Sequence, residues 1–276
     1  MTDTRVDFTD VRWTQLAALY LRALDARSAA PILGDDEAVA AMRRIDADFG
    51  SLRMRSTAGD RWMVILRART LDRWAAEFLE RHPGATVLHL GCGLDSRAFR
   101  LPRPPGTLWF DVDLPDVIAL RRRLYADDEG YRMLGCSVTD PSWTDGVPTD
   151  GPVLVIAEGL LMYLDPADVA GLLRHVAATF PSGELLFDGM APSVVRKTRL
   201  LPGPWRVLRM NWAVRDGVEG HDVARIDSAF RRVAVTPVLS LHGWIPQPAM
   251  RWLYRVLDAI PAMRRSVRLF RYTFGR

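Results

Sequence analysis

The feature that most constrains the fold is a change of texture at Thr86. From there, short runs rich in apolar and β-branched residues alternate with stretches of helical periodicity. The runs are 86–92, 107–113, 132–138, 153–157 and 184–188, with helical patterns at 114–125 and 166–180 between them. Strands that alternate with helices pair in parallel and need cover on both faces. Strands covered on both faces are apolar almost throughout, as these are. The expectation is a doubly wound, mostly parallel α/β sheet of seven strands. In the last third, 232–241 and 269–273 read as further strands and 252–257 as a helix. Upstream, apolar residues recur at helical spacing over 11–21 and 62–79. Pro31 and Gly34 end the first of these helices, and Asp35 and Asp36 are natural caps for the next. Residues 1–80 therefore read as an N-terminal helical lid. Residues 81–276 read as the core, with a substrate-region insertion at about 190–250.

Composition excludes several classes. At 49% hydrophobic and 25% charged residues the chain is globular rather than disordered. The strongest apolar run, 153–164, is too short to span a bilayer and has Glu158 inside it. The polar N-terminus shows no secretory pattern, and two cysteines build no disulfide framework, so a cytoplasmic location is expected. Residues 191–276 hold 16 basic against 5 acidic residues, but no nucleic-acid-reading motif stands beside that charge. The expected partner is a small molecule, with no nucleic acid, membrane or metal. Cys92 and Cys136 read as small core residues, His82 and His175 as helix-end residues and His89 as packed within a strand.

The sharpest local pattern is Val87-Leu88-His89-Leu90-Gly91-Cys92-Gly93-Leu94-Asp95-Ser96-Arg97. A buried strand runs into a Gly-x-Gly turn, where glycine lets the backbone approach a ligand at the strand's carboxyl end. The next strand ends Asp111-Val112-Asp113, placing a carboxylate where it can accept hydrogen bonds from ribose hydroxyls. A nicotinamide dinucleotide site shares these features. Here, however, Ser96 replaces its third glycine and Asp95 sits where a pyrophosphate prefers positive charge or bare amides. A nucleoside without phosphates fits better, and S-adenosylmethionine is the commonest on this architecture.

The motif 90–97, followed by Asp111-Val112-Asp113-Leu114-Pro115 and Ala157-Glu158-Gly159-Leu160-Leu161-Met162-Tyr163-Leu164, resembles the leucine carboxyl methyltransferase family. The bacterial branch, with its tetracenomycin-type polyketide O-methyltransferases, is the closer likeness. Arg67-Ala68-Arg69-Thr70-Leu71-Asp72 resembles the family's R-x-R-x-x-D stretch, and Arg22 with segment 31–36 resembles its N-terminal helices. The likeness covers roughly residues 15–190. It implies a Rossmann-like class I methyltransferase fold, S-adenosylmethionine as donor and S-adenosylhomocysteine as product. By resemblance, Gly91 and Gly93 lie against the cofactor's methionine part, Asp113 holds the ribose, and Ser137 and Val138 flank the adenine. Glu158 lines the pocket and Arg67, or else Arg69, pairs with the cofactor carboxylate. Asp95 and Asp111 complete the candidate cofactor set. Ser137 stands where the eukaryotic relatives resemble one another in having Asp, so a contact to adenine lacks charge assistance.

Methyl transfer from a sulfonium needs alignment and exclusion of water more than acid–base help. A carboxylate acceptor needs no general base, whereas a phenol or carbon acceptor benefits from one. No diagnostic His–Asp pair is visible, which favours O-methylation of a carboxylate or acidic phenol. Tyr163 is the candidate for orienting the acceptor, and His221 and His242 are candidate bases in the tail. Trp205, Trp212 and Trp244 with Arg196, Arg199, Arg206 and Arg209 suit a flat anionic aromatic ligand, such as a polyketide. The alternatives are C- or N-methylation of an aromatic such as an indole, carboxyl methylation of a peptide or protein C-terminus, and a non-catalytic methyltransferase-like binding protein. A dehydrogenase is a further alternative.

Overall fold

The computed structural model describes residues 10–51, 54, 61–200, 209–214, 216–217 and 220–275. Its centre is a seven-stranded sheet in the order β3-β2-β1-β4-β5-β9-β8. The strands are β1 (Thr86–Leu90), β2 (Leu108–Asp113), β3 (Tyr131–Gly135), β4 (Val153–Ala157), β5 (Ser182–Met190), β8 (Arg231–Pro237) and β9 (Val267–Gly275). A two-stranded ribbon, β6 (Asp216–Gly217) and β7 (Gly220–His221), lies apart from it. Parallel pairing joins β3, β2, β1, β4 and β5. Only β9 runs against its neighbours, because β9 is antiparallel to both β5 and β8. The order reverses between β1 and β4, and in open α/β sheets ligands bind outside the carboxyl ends at such a switch point.

The helices are α1 (Asp10–Ala26), α2 (Asp36–Arg44), α3 (Arg61–Arg81), α4 (Arg97–Arg100), α5 (Pro115–Arg121), α6 (Pro166–Thr179), α7 (Pro192–Thr198), α8 (Asp222–Ile226), α9 (Pro248–Asp258) and α10 (Pro261–Arg264). Alternate strand residues serve opposite faces. Val153, Val155 and Ala157 of β4 join α6 through Val169, Leu172 and Val176. Leu154 and Ile156 join Trp62, Leu66, Leu71 and Phe78 of α3 on the other side. The sequence reading groups α3 with the N-terminal helices, yet α3 is a layer of the sheet's own core. The side chains of α1 and α2 share a separate cluster with Leu94, Leu124 and Tyr125. Asp35 caps α2 by accepting from Ala38 N, and the same carboxylate accepts the Ser96 hydroxyl at 2.5 Å. That one side chain fastens the outer helices to the turn after β1.

Some boundaries differ from the sequence reading for local reasons. The strand expected over 232–241 ends at Pro237, which offers no N–H to a ladder, and Val238–Trp244 winds into a 3-10 helix. The helix expected over 114–125 stops at Arg121, whose side chain turns inward and is fully buried. Across β5, Val214 N donates to Met190 O, and a Cβ on Gly189 would stand 2.3 Å from Val214 Cγ2. Gly189→Ala is therefore expected to cost about 1–3 kcal/mol of stability. A denaturant midpoint equal to wild type would show that Val214 yields.

Candidate active site

At the carboxyl end of β1 the chain turns through Gly91 (φ +63°) and Gly93 (φ +51°), the left-handed region that glycine enters without strain. Space also demands them: a Cβ on Gly91 would stand 2.8 Å from Leu160 Cδ1, and one on Gly93 3.3 Å from Gln15 Cγ of α1. Asp113, ending β2, accepts Gly93 N at 2.7 Å and Leu114 N at 2.8 Å. Burial raises its carboxyl above the usual range, against the pull of those two amides.

Two adjoining chambers open here. The larger, about 520 Å³, is bordered by Trp13, Arg22, Arg67, His89, Gly93, Asp95, Glu158, Met162, Tyr163 and Met190 among others. The smaller, about 280 Å³, is bordered by Asp113, Leu114, Ser137, Val138 and Leu160. Thr14, Gln15, Gly91, Gly159 and Tyr163 border both. Their chemistry differs: one combines a charged end with apolar walls, and the other has a single carboxylate, Asp113, among apolar groups and the uncharged polar side chains of Thr14, Gln15, Ser137 and Tyr163.

The charged end is a buried ion network. Glu158, just past β4, accepts Arg67 Nε at 2.9 Å and Arg97 Nη2, and lies 3.5 Å from Arg22 Nη2. Burial would raise its carboxyl, but Arg97, Arg67 and Arg22 outweigh that and hold it at about 2. Arg97 also donates to Asp72, and Arg100 donates to Asp72, Asp95 and Asp35. Asp95 is likewise held well below the usual range, because Arg100, Arg22 and Arg97 overcome its burial. Asp188, on β5, accepts Arg67 Nη1 at 2.8 Å and Gly159 N at 2.6 Å. No described hydrogen bond uses Arg67 Nη2, and buried Arg22 Nε has no hydrogen-bond partner among the described residues. Both side chains border the larger chamber, and Arg67 Nη2 lies beside Gly159 at its charged end.

The structure thus gathers Arg67, Gly91, Gly93, Asp95, Asp113, Ser137, Val138, Glu158 and Tyr163 around the chambers. It places others elsewhere. Arg69 lies on another face of α3, exposed, with its guanidinium 5.7 Å from the Trp244 ring; two residues along a helix is over half a turn. Asp111 borders neither chamber. It is fully buried and accepts Arg121 Nη2, Tyr131 OH, Trp109 Nε1 and His89 Nδ1. His242 sits in the 3-10 helix after β8 and borders neither chamber. The side chain of His221, and Trp205 and Arg206 entirely, lie outside the described residues. Trp212, buried against Phe187, borders with Arg196 and Arg199 a groove separate from both chambers. From the region 190–250 only Met190 reaches the larger chamber among the described residues.

Sequence reasoning missed Arg22, Arg97, Asp72 and Asp188 as parts of one network. A signal existed for three of them, since Arg22, Asp72 and Arg97 stand inside the segments that carry the family likeness. The network also fixes an acid response. Glu158 is depressed relative to its ordinary 4.5, so the stability it contributes is complete above that pH and is lost as pH falls towards about 2. Between pH 4.5 and 2 the unfolding free energy of wild type is expected to fall, and Glu158→Gln to remove part of that slope. Denaturant titrations across this range check it; parallel slopes would mean that Glu158 is not held low.

Comparison with known proteins agrees with this architecture. A family model described as leucine carboxyl methyltransferase matches residues 15–177. The tetracenomycin polyketide synthesis O-methyltransferase TcmP of Streptomyces glaucescens is 42% identical over 276 residues, covering 98% of each chain. The S-adenosyl-L-methionine-dependent methyltransferase dpfgK of Gibberella zeae is 40% identical over 201 residues, 67% of each. Among solved structures, a putative methyltransferase from Thermobifida fusca aligns with a TM-score of 0.57 at 18% identity, covering 93% of this chain and 94% of that one, a likeness of fold. With the glycine turn, the acidic end of β2 and the seven-stranded sheet in place, the chain belongs to the leucine carboxyl methyltransferase family and is an S-adenosylmethionine-dependent methyltransferase.

Proposed function

We propose that this enzyme methylates an oxygen of a polyketide-type aromatic natural product, and that the oxygen belongs to a carboxylate. The polyketide role named for the Streptomyces relative supports the substrate class. One observation carries the choice of acceptor: no described group bordering the larger chamber is placed to take a proton. Glu158 and Asp95 are held low by arginines and are poor bases. Burial raises the Cys92 thiol and the Tyr163 hydroxyl, which therefore stay protonated. Both ring nitrogens of His89 are already in hydrogen bonds. An acceptor that arrives ionised needs none of them.

In this reading the smaller chamber takes the adenosine, with Asp113 accepting from ribose hydroxyls and Ser137 and Val138 flanking the base. Gly91 and Gly93 bring backbone close to the methionine part, and Arg67, with Arg22 beside it, meets its carboxylate, a pairing that suits guanidinium. Glu158, Asp95 and Asp188 hold those arginines in place. S-adenosylmethionine supplies an activated methyl group when bound. Trp13, Val64, Met162 and Met190 wall the remaining space and exclude water, and the Tyr163 hydroxyl is a neutral donor that orients the acceptor. The helices α1 and α2 act as the lid. We place the enzyme in the cytoplasm, where the thiols Cys92 and Cys136 stay reduced.

Calorimetric titration with S-adenosylmethionine and S-adenosylhomocysteine tests the site, and Asp113→Ala and Arg67→Lys, which keeps a cation beside Glu158 and Asp188, are each expected to weaken binding at least about tenfold with the fold intact. Wild-type affinity in either variant would remove that residue from the site. Aromatic carboxylic acids and phenols, assayed by mass spectrometry for methyl gain, test the acceptor. With a carboxylic acid, kcat is expected to be flat over roughly pH 6 to 9. Turnover of phenols alone would overturn the carboxylate assignment.

A further inference from the structure

His89, the penultimate residue of β1, is buried to 1% exposure and borders the larger chamber. Its Nδ1 lies 3.0 Å from Asp111 Oδ1 and its Nε2 3.3 Å from Arg97 Nη1. A guanidinium has donors and no acceptor, so Nε2 must accept and the ring proton must sit on Nδ1, donated to Asp111. Asp111 is a fixed acceptor, held by Arg121 Nη2, by Tyr131 OH at 2.6 Å and by Trp109 Nε1 at 3.0 Å. The ring packs edge-on to Trp109, at a centroid distance of 6.3 Å.

This imidazole joins two hubs. On one side Arg121 binds Asp111 and the carbonyl oxygens of Gly93 and Asp95, at 2.9 and 2.8 Å, and so holds the glycine turn. On the other side Arg97 holds Asp72 and Glu158, and Glu158 in turn orients Arg67. Neither hub's arginine reaches the other hub's carboxylate by a described hydrogen bond. His89 links Asp111 directly to Arg97, alongside the second connection through Asp95, whose carbonyl Arg121 holds and whose carboxylate Arg100 holds.

We propose that His89 is a positioning residue for the donor's amino-acid end, acting as a neutral Nδ1–H imidazole that fixes Arg97 and, through Glu158, sets Arg67 and Arg22. The proposal rests on the cofactor site assigned under Proposed function and adds a residue that does not itself grip the ligand. An imidazole so engaged at both nitrogens is a strut and not a base.

Two variants and two probes test it. His89→Asn keeps a donor near the Nδ1 position but removes the acceptor for Arg97, and His89→Gln carries an amide oxygen out towards Nε2. The probes are S-adenosylhomocysteine and 5′-methylthioadenosine, which lacks the amino-acid tail. His89→Asn is expected to lose about tenfold in affinity for S-adenosylhomocysteine and to bind 5′-methylthioadenosine as wild type does, with His89→Gln restoring the first affinity. In assays, KM for the donor is expected to rise in His89→Asn while kcat changes little. On the wild-type enzyme, nitrogen NMR at neutral pH is expected to show the Nδ1–H tautomer. Unchanged S-adenosylhomocysteine affinity in His89→Asn, equal loss of both probes, or an Nε2–H tautomer would each overturn the proposal. A wild-type enzyme that binds neither probe would overturn the cofactor site itself and this proposal with it.

Discussion

Glu158 among its arginines is the interaction on which the rest depends. Removing an ion from water costs several kcal/mol even after relaxation, so this carboxylate is stable only with every partner in place. Those partners come from distant parts of the chain: Arg22 from α1, Arg67 from α3 and Arg97 from α4. Asp72 and Asp188 complete the balance from α3 and β5. The network thus sets where α3 lies on the sheet and how α1 lies over it. Arginine suits the task better than lysine, because its planar fork bonds two carboxylates at once, as Arg67 does with Glu158 and Asp188.

The same arrangement explains how a turn with an acidic residue in it can serve a cofactor. Asp95 would repel an anionic ligand if it stood alone. It is neutralised by Arg22 at 3.0 Å and Arg100 at 2.5 Å. The charge visible in the motif is internal to the protein. Buried carboxylates here position cations, and two of those cations, Arg22 and Arg67, border the larger chamber.

The parallel sheet was legible because strands covered on both faces must be apolar throughout, and 153–157 matches β4 residue for residue. The glycine turn and Asp113 were legible because few residues tolerate that backbone and that strand end. Asp111 was not: it shares a strand and a face with Asp113, and what separates them is Arg121, an inward-turning side chain from the following helix. Periodicity places a residue on a face but does not name its partner. Arg67 and Arg69 were ambiguous for the same reason, until the packing of α3 showed which side of the helix meets the cleft. The tail resisted because its tryptophans bear no pattern that distinguishes a core ring such as Trp212 from an exposed one such as Trp244.

The roof over the two chambers is shared. Thr14 and Gln15 of α1 border both, and Gln15 rests on the glycine turn itself. A helix that borders both spaces cannot uncover one without uncovering the other. On the reading proposed above, in which the donor occupies both spaces, any movement of α1 that admits an acceptor also loosens the enclosure of the donor. One shared wall ties the two spaces together in time even though they are chemically unalike.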